Sequence, residues 1–407
     1  MVLPFSRRML AAVTVCVAVL SLAVAPKGLA AVQSGSGAAG SSIEWPGVDQ
    51  CPDMVILSVR GSNELPQPDN GGDPLSSASY NADTAWGLGE PGELTAGEVQ
   101  GEANGRGVTS VRQGVVYPAL PVETAITDPD AYLASIKSGA DALVDAILAR
   151  FDDNNGCLGA PRFQIIGYSQ GAWSVRIAMH WLAKHFSEPE SHGMPYIAGV
   201  VLLGDPTYSS SEPIVRWDPT GGDSDLGIGW AAAFPKRVPA SWYAPYSWMI
   251  RDRVSSYCLA DDLVCRIPHR WEDLVYRALA TKWATKVTDT HLSYGSQATV
   301  RAGQWLAKFV PPSTKAARAF AQQVLDWGQT GDADALWSVW DAYTTPERFI
   351  SHMAADPGGV VNCYGLSRRD FQCSLTLQAY SPTPGHYALI LGKVDGHFVI
   401  RYLDGVD

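Results

Sequence analysis

The chain has 407 residues, 46% hydrophobic and 17% charged, with a formal net charge of −11. That composition excludes a disordered polyelectrolyte, and the length allows two ordinary domains. The acidic balance disfavours nucleic acid and anionic membrane as electrostatic partners.

Residues 1–30 read as a signal peptide. Arg7 and Arg8 form a basic start, residues 9–25 an apolar run, and Gly28 and Ala30 supply small residues before a cleavage point. A membrane anchor is the alternative, and ordinary or twin-arginine export stays open. Beyond the N-terminus no segment is apolar for long enough to span a bilayer, so no stable insertion is expected after cleavage. Cleavage removes Cys16 and leaves six cysteines, an even number that suggests three disulfides in an exported protein. No Cys/His spacing suggests a metal site, and no cofactor is implied.

Residues 31–45 are rich in Gly, Ser and Ala and read as a flexible leader. Residues 54–59 (MVILSV) are continuously apolar, as in a buried parallel strand. Residues 68–106 carry many Gly, Asn, Asp and Glu and read as a long surface loop, and residues 115–117 as a second strand. Asp128 and Pro129 then open a strong helix. Its residues Leu133, Ile136, Ala140, Leu143, Val144, Ile147 and Phe151 repeat at helical steps. A third strand at 163–166, a helix at 172–186, a fourth strand at 197–203 and a closing helix at 297–309 follow. Strands alternating with helices predict an α/β fold, a parallel sheet with helices on both faces, over residues 46–310.

Pro311 and Pro312 mark a boundary. Residues 313–407 predict helices at 313–327 and 333–343, then strands near 371–380, 385–394 and 397–403, joined by a turn at Asp395-Gly396. Helices followed by a meander make a small α+β domain. Trp327, Trp337 and Trp340 read there as core residues.

Gly167-Tyr168-Ser169-Gln170-Gly171 follows the third strand and opens a helix. A nucleophile elbow needs that strand–turn–helix setting, with glycines for the tight turn and the serine lifted above the sheet edge. A serine nucleophile needs a base, and the base needs an orienting acid. Asp205, Asp261, Asp262 and the downstream histidines are the candidates in chain order. His180, His185, His192, His269, His352 and His386 have no motif around them, and His397 falls on a predicted hairpin.

Several separated motifs occur in order: Arg60-Gly61-Ser62-Asn63-Glu64, Tyr117-Pro118-Ala119, the serine pentapeptide, Gly204-Asp205-Pro206, a Cys-x-x-x-Asp-x-Val-Cys segment from Cys258 to Cys265, and a His-x-x-Tyr segment at His291. Together they make residues 51–309 resemble the cutinase family of secreted esterases, with its α/β-hydrolase fold. The resemblance implies a triad of Ser169, Asp262 and His291, with the backbone N–H groups of Gln170 and Ser62, and the Ser62 hydroxyl, forming the oxyanion hole. It favours Asp262 over its neighbour Asp261, while Asp205, the other rival, reads as a strand-end or turn carboxylate. It also implies the disulfides Cys51–Cys157 and Cys258–Cys265, which leaves Cys363–Cys373 ahead of the C-terminal strands. The substrate is then an ester or a lipid, with hydrolysis as the leading expectation. Acyl transfer on envelope lipids with the same triad, or binding without catalysis, are the alternatives.

Two stretches depart from the family pattern. Residues 208–257 carry Trp217, Trp230, Trp242 and Trp248, and residues 266–290 contain a helical pattern at 271–287. Both flank the expected site and read either as a partial lid or as core packing. Residues 313–407 faintly resemble nuclear-transport-factor-like domains.

Overall fold

The computed structural model describes residues 52–66, 75–76, 79–80, 87–150, 161–185, 196–217, 226–230, 237–260, 262–266, 289–311, 313–342, 345–353, 359–365, 370–377, 385–394 and 397–404. The expected signal peptide and leader, the Cys51–Cys157 pair, Asp261 and the helical pattern at 271–287 lie outside the described residues.

The first half is built on β1 (Met54–Val59), α1 (Glu90–Gly105), β2 (Ser110–Gly114), the short α2 (Thr124–Thr127) and α3 (Pro129–Leu148). Then come β3 (Arg162–Tyr168), α4 (Gln170–His185), β4 (Ile197–Leu203), β5 (Val215–Trp217), β6 (Val254–Tyr257) and α5 (Ser296–Ala307). The six strands form one sheet in the order β2-β1-β3-β4-β6-β5, and every pair in it is parallel.

Strand period two divides the apolar residues between two faces. Val55, Leu57, Val59, Phe163, Ile165, Val200 and Leu202 pack under α3 and α4. Met54, Ile56, Ile166, Val201 and Leu203 pack under α1 and α5. Both faces are therefore covered, which is why these strands read as continuous apolar runs. The helix at 128–129 begins as expected, with the Asp128 side chain accepting from Ala131 N–H at 3.0 Å and Pro129 at the first position.

Two expectations are corrected and two strands are added. Residues 68–106 are not all loop, because α1 occupies Glu90–Gly105. Its buried stripe is Thr95, Ala96, Val99 and Ala103, too small and too sparse to stand out against its glycines and glutamates. The second strand is Ser110–Gly114 rather than 115–117. Residues 115–117 instead offer backbone carbonyls to a buried arginine. Strands β5 and β6 carry no strand signal in the sequence, because they are short and the buried Ser255 and Ser256 interrupt the apolar pattern of β6.

The second half contains α6 (Thr314–Thr330), α7 (Ala333–Trp337) and α8 (Pro346–Met353), followed by β7 (Gly359–Gly365), β8 (Asp370–Leu377), β9 (Gly385–Val394) and β10 (His397–Asp404). The strands form an antiparallel sheet in the order β10-β9-β8-β7. Ala317, Ala321, Val324 and Leu325 of α6 pack with Cys363, Cys373, Leu389, Leu391 and Ile400. Gly331, with φ of 73°, ends α6 in the left-handed conformation that glycine adopts without penalty. Helix α7 is shorter than the 333–343 expected, and α8 and β7 are additions. Cys363 and Cys373 lie inside β7 and β8, not ahead of the strands, and are direct cross-strand partners joined by a disulfide. Trp327 and Trp340 pack on this core, but Trp337 is exposed, its indole N–H donating to Glu347 at 2.8 Å.

Candidate active site

Ser169 sits where β3 turns into α4. Its φ is +52°, in the left-handed region that a non-glycine residue occupies only when its surroundings enforce it. The flanking glycines explain how. A Cβ on Gly171 would fall onto the carbonyl oxygen of Val59, and one on Gly167 would lie 2.8 Å from Ala172 Cα. Helix α4 therefore crosses the end of β1 without a side chain between them. Ser169 N–H donates to Leu203 O at 2.9 Å, which ties the turn to β4. The serine is thus raised at the C-terminal edge of the sheet, where open α/β sheets place their ligands.

His291, in a short helical segment just before α5, brings Nε2 to 2.9 Å from Ser169 Oγ. Its Nδ1 lies 2.9 Å and 3.1 Å from the two carboxylate oxygens of Asp262. The imidazole stacks on the Tyr168 ring, with centroids 5.4 Å apart, and Tyr168 OH donates to the His291 carbonyl at 2.8 Å. Gly204, with φ of 58°, clears the other side, since a Cβ there would come within 2.8 Å of His291 Cε1.

Asp262 is fully buried in the loop that the Cys258–Cys265 disulfide closes. Val264 N–H donates to one of its oxygens and Tyr294 OH to the other, both at 2.8 Å. Tyr294 OH in turn accepts from Leu259 N–H at 3.1 Å. Burial, and then the negative charge of Asp262, push the Tyr294 phenol well above its ordinary range, so it remains a donor. Each oxygen of the acid is thereby fixed by a donor besides the imidazole.

Asp205 has different company. It is buried and accepts from Thr207 N–H at 2.8 Å, Thr207 OH at 2.6 Å and Arg176 at 3.2 Å. Arg176 also holds Glu212 at 2.8 and 2.9 Å and lies over the Tyr246 ring. This ion cluster pins the start of the 208–257 stretch to α4. Trp242 and the half-buried Trp230 of that stretch pack against Trp173 and Tyr243. Trp248 stands 76% exposed. Residues 218–225 and 231–236 lie outside the described residues.

Ser62 is held by its neighbours. Arg60, fully buried, donates to the carbonyls of Glu64, Val115 and Tyr117 and to Tyr80 OH. The Glu64 carboxylate accepts from Gly61 N–H at 2.5 Å and from Glu90 N–H, at the start of α1, at 3.1 Å. Burial nevertheless lifts the Glu64 pKa to about 6. Asn63 N–H donates to Ala119 O at 3.0 Å, and Asn63 and Ala119 both have positive φ. The motifs at 60–64 and 117–119 thus form one clamp around Ser62. The Ser62 hydroxyl lies 2.8 Å from Tyr132 OH. Gln170 is the first residue of α4, so its N–H is among those the helix leaves without an internal partner.

The structure thus brings Ser169, His291 and Asp262 into one hydrogen-bonded line and assigns Asp205 to a separate ion cluster. Tyr294, Tyr168, Arg60 and Glu64 support the site without a role assigned from sequence, although all four lie inside the quoted motifs; Tyr80 and Tyr132 lie outside them. Among the described residues no group of three or more His, Cys, Asp or Glu is placed to hold a metal ion, and no helix is long and apolar enough to cross a membrane.

A family model described as Cutinase matches residues 81–310, more than half of the chain. Among solved structures, an acetylxylan esterase is 16% identical, with 64% of this chain and 99% of that chain covered and a TM-score of 0.38. A cutinase-like protein from Cryptococcus sp. is 14% identical, with coverages of 62% and 96% and a TM-score of 0.35. Lysin B from Mycobacteriophage D29 is 17% identical, with coverages of 63% and 90% and a TM-score of 0.30. No curated protein matches. On the strength of the family match, the chain belongs to the cutinase family of carboxylic ester hydrolases.

Proposed function

We propose that the protein is a secreted serine esterase that cleaves lipid-like or cutin-like acyl esters through an acyl-enzyme on Ser169. The observation that carries this reading is the unbroken line from Ser169 Oγ through the His291 ring to Asp262, with contacts of 2.9 Å on each side of the imidazole.

In this reading Ser169 Oγ attacks the ester carbonyl carbon while its proton passes to His291 Nε2. The carbonyl oxygen becomes an oxyanion, received by the N–H groups of Gln170 and Ser62 and by the Ser62 hydroxyl. Asp262 holds the imidazole with Nδ1 protonated and stabilises the imidazolium. Collapse breaks the bond to the alcohol, which leaves with the proton from His291. Water then attacks the acyl-enzyme, gives a proton to His291, and the second collapse returns a proton to Ser169 Oγ and releases the acid.

The packing of Trp242 and Trp230 beside α4 argues for smaller acyl esters over a polymer, because the added segment builds up one flank of the site. Secretion is supported by the N-terminal pattern of residues 1–30 and by the two disulfides of the described residues, a feature of oxidising compartments. We read residues 46–310 as the catalytic unit and 313–407 as an accessory α+β unit.

The test is turnover of short-acyl nitrophenyl esters by the full chain. Activity is expected in the parent and a loss of about 10⁶-fold in kcat in Ser169→Ala. A folded parent without turnover, or a Ser169→Ala variant as active as the parent, refutes the reading.

A further inference from the structure

Tyr132 lies in the first turn of α3, outside every motif that identifies the family. Its ring is 7% exposed and belongs to an aromatic cluster with Leu133, Ile136, Trp173, Trp242 and Tyr243. Its hydroxyl points out of that cluster to Ser62 Oγ, 2.8 Å away.

The backbone of Ser62 does not depend on this contact, because the Arg60 and Glu64 clamp already holds the turn. What the contact governs is the Ser62 hydroxyl. A serine hydroxyl rotates freely and has one proton to give. Of the two groups the phenol is the stronger acid, hence the better donor, and the serine oxygen the better acceptor. Burial pushes the Tyr132 pKa up to about 12, so its proton stays in place at neutral pH. With the tyrosine donating, the serine proton has to point elsewhere. A hydroxyl that accepts one hydrogen bond also donates a stronger one in a low-dielectric site.

We propose that Tyr132 is a positioning residue that donates to Ser62 Oγ and thereby aims the Ser62 hydroxyl proton at the oxyanion formed on Ser169. The proposal rests on the reading of Ser62 as an oxyanion donor. It also gives the segment between β5 and β6 a consequence for the chemistry. Trp242 meets the Trp173 ring edge-on with centroids 6.3 Å apart, and Tyr243 packs at 5.6 Å. These residues belong to the buried apolar cluster that includes Tyr132, while Trp173 stands one turn after Ser169. The added segment thus presses on the oxyanion hole through one tyrosine.

Tyr132→Phe keeps the ring and deletes only the hydroxyl. With a short-acyl nitrophenyl ester and the full chain, kcat falls about tenfold, the worth of one hydrogen bond, while KM and the melting temperature stay put. Ser62→Ala lowers kcat about 10²-fold. In the Ser62→Ala background, Tyr132→Phe costs nothing further, because the group it aims is gone. Equal losses from Tyr132→Phe in both backgrounds, or no loss in the parent while Ser62→Ala is impaired, overturn the proposal and leave Ser62 as a donor. An unimpaired Ser62→Ala variant removes the role of the Ser62 hydroxyl itself, and the proposal with it.

Discussion

In the parallel-sheet half, Asn63, Ala119 and Ser169 all hold positive φ, and Arg60, Arg176, Asp205, Asp262 and His291 are buried. In the antiparallel half the described core is alanine, valine, leucine, isoleucine, phenylalanine and a disulfide. Its described charged pair, Arg401 with Asp341, lies on the surface. Strain and buried polarity each cost free energy, so they persist where something over-determines them. In the first half they gather at the C-terminal ends of β1, β3, β4 and β6, where Ser62, Ser169, Gly204 and Asp262 follow. The second half follows the ordinary rules of burial and meets the first at the opposite edge of the sheet. There Ser313 and Thr314 donate to Gly107 O and to Asp53, next to the start of β1. Two cores of similar kind thus differ in what their strand ends are asked to hold.

The sharpest way to break this comparison is to remove one buried charge from the first half. Arg176→Met leaves Asp205 and Glu212 buried without their counter-charge, and a loss of about 3–5 kcal/mol in unfolding free energy is expected. Chemical denaturation of parent and variant measures it; a loss below about 1 kcal/mol contradicts the role given to the cluster. The two disulfides separate the halves next. Replacing Cys363 and Cys373 by Ser costs about 2–4 kcal/mol of stability and leaves kcat unchanged. Replacing Cys258 and Cys265 lowers kcat at least tenfold, because their loop carries Asp262. Equal effects on kcat from the two pairs sink the distinction.

The smallest effect concerns Glu64, whose pKa rises from 4.5 to about 6 on burial. The native state then holds this proton more tightly than the unfolded chain does. Its contribution to stability is complete below pH 4.5 and is lost as the pH climbs through about 6. Glu64→Gln has no such titration. Melts of both proteins from pH 4 to 7 are expected to show the parent losing ground to the variant across that window, and a constant difference speaks against it.

The elbow was readable because its demands are local: a strand, two glycines and a helix within a few residues of Ser169. The parallel strands were readable because burial on both faces leaves an unbroken apolar run. Helix α1 was not, since its buried face is mostly alanine, threonine and valine among polar residues. The proposed triad was legible only through the ordered motifs, because His291 reaches Ser169, and Asp262 reaches His291, across long sequence separations that no periodicity records. The roles of Arg60 and Glu64 are tertiary for the same reason. The motif exposed their identity, and only the fold brings the Val115 and Tyr117 carbonyls and the Glu90 N–H to them. Tyr132 left no mark at all, since a tyrosine beside an amphipathic stripe looks like any helix residue.

The central claim is that Ser169 is a nucleophile activated by His291. The most direct measurement is the reaction of the intact protein with an aryl phosphonate ester, read by mass spectrometry of the whole chain and of its peptides. One phosphonyl adduct on Ser169 is predicted, absent in Ser169→Ala and formed far more slowly in His291→Ala. A folded parent that stays unlabelled, or a label carried equally by Ser169→Ala, contradicts the account.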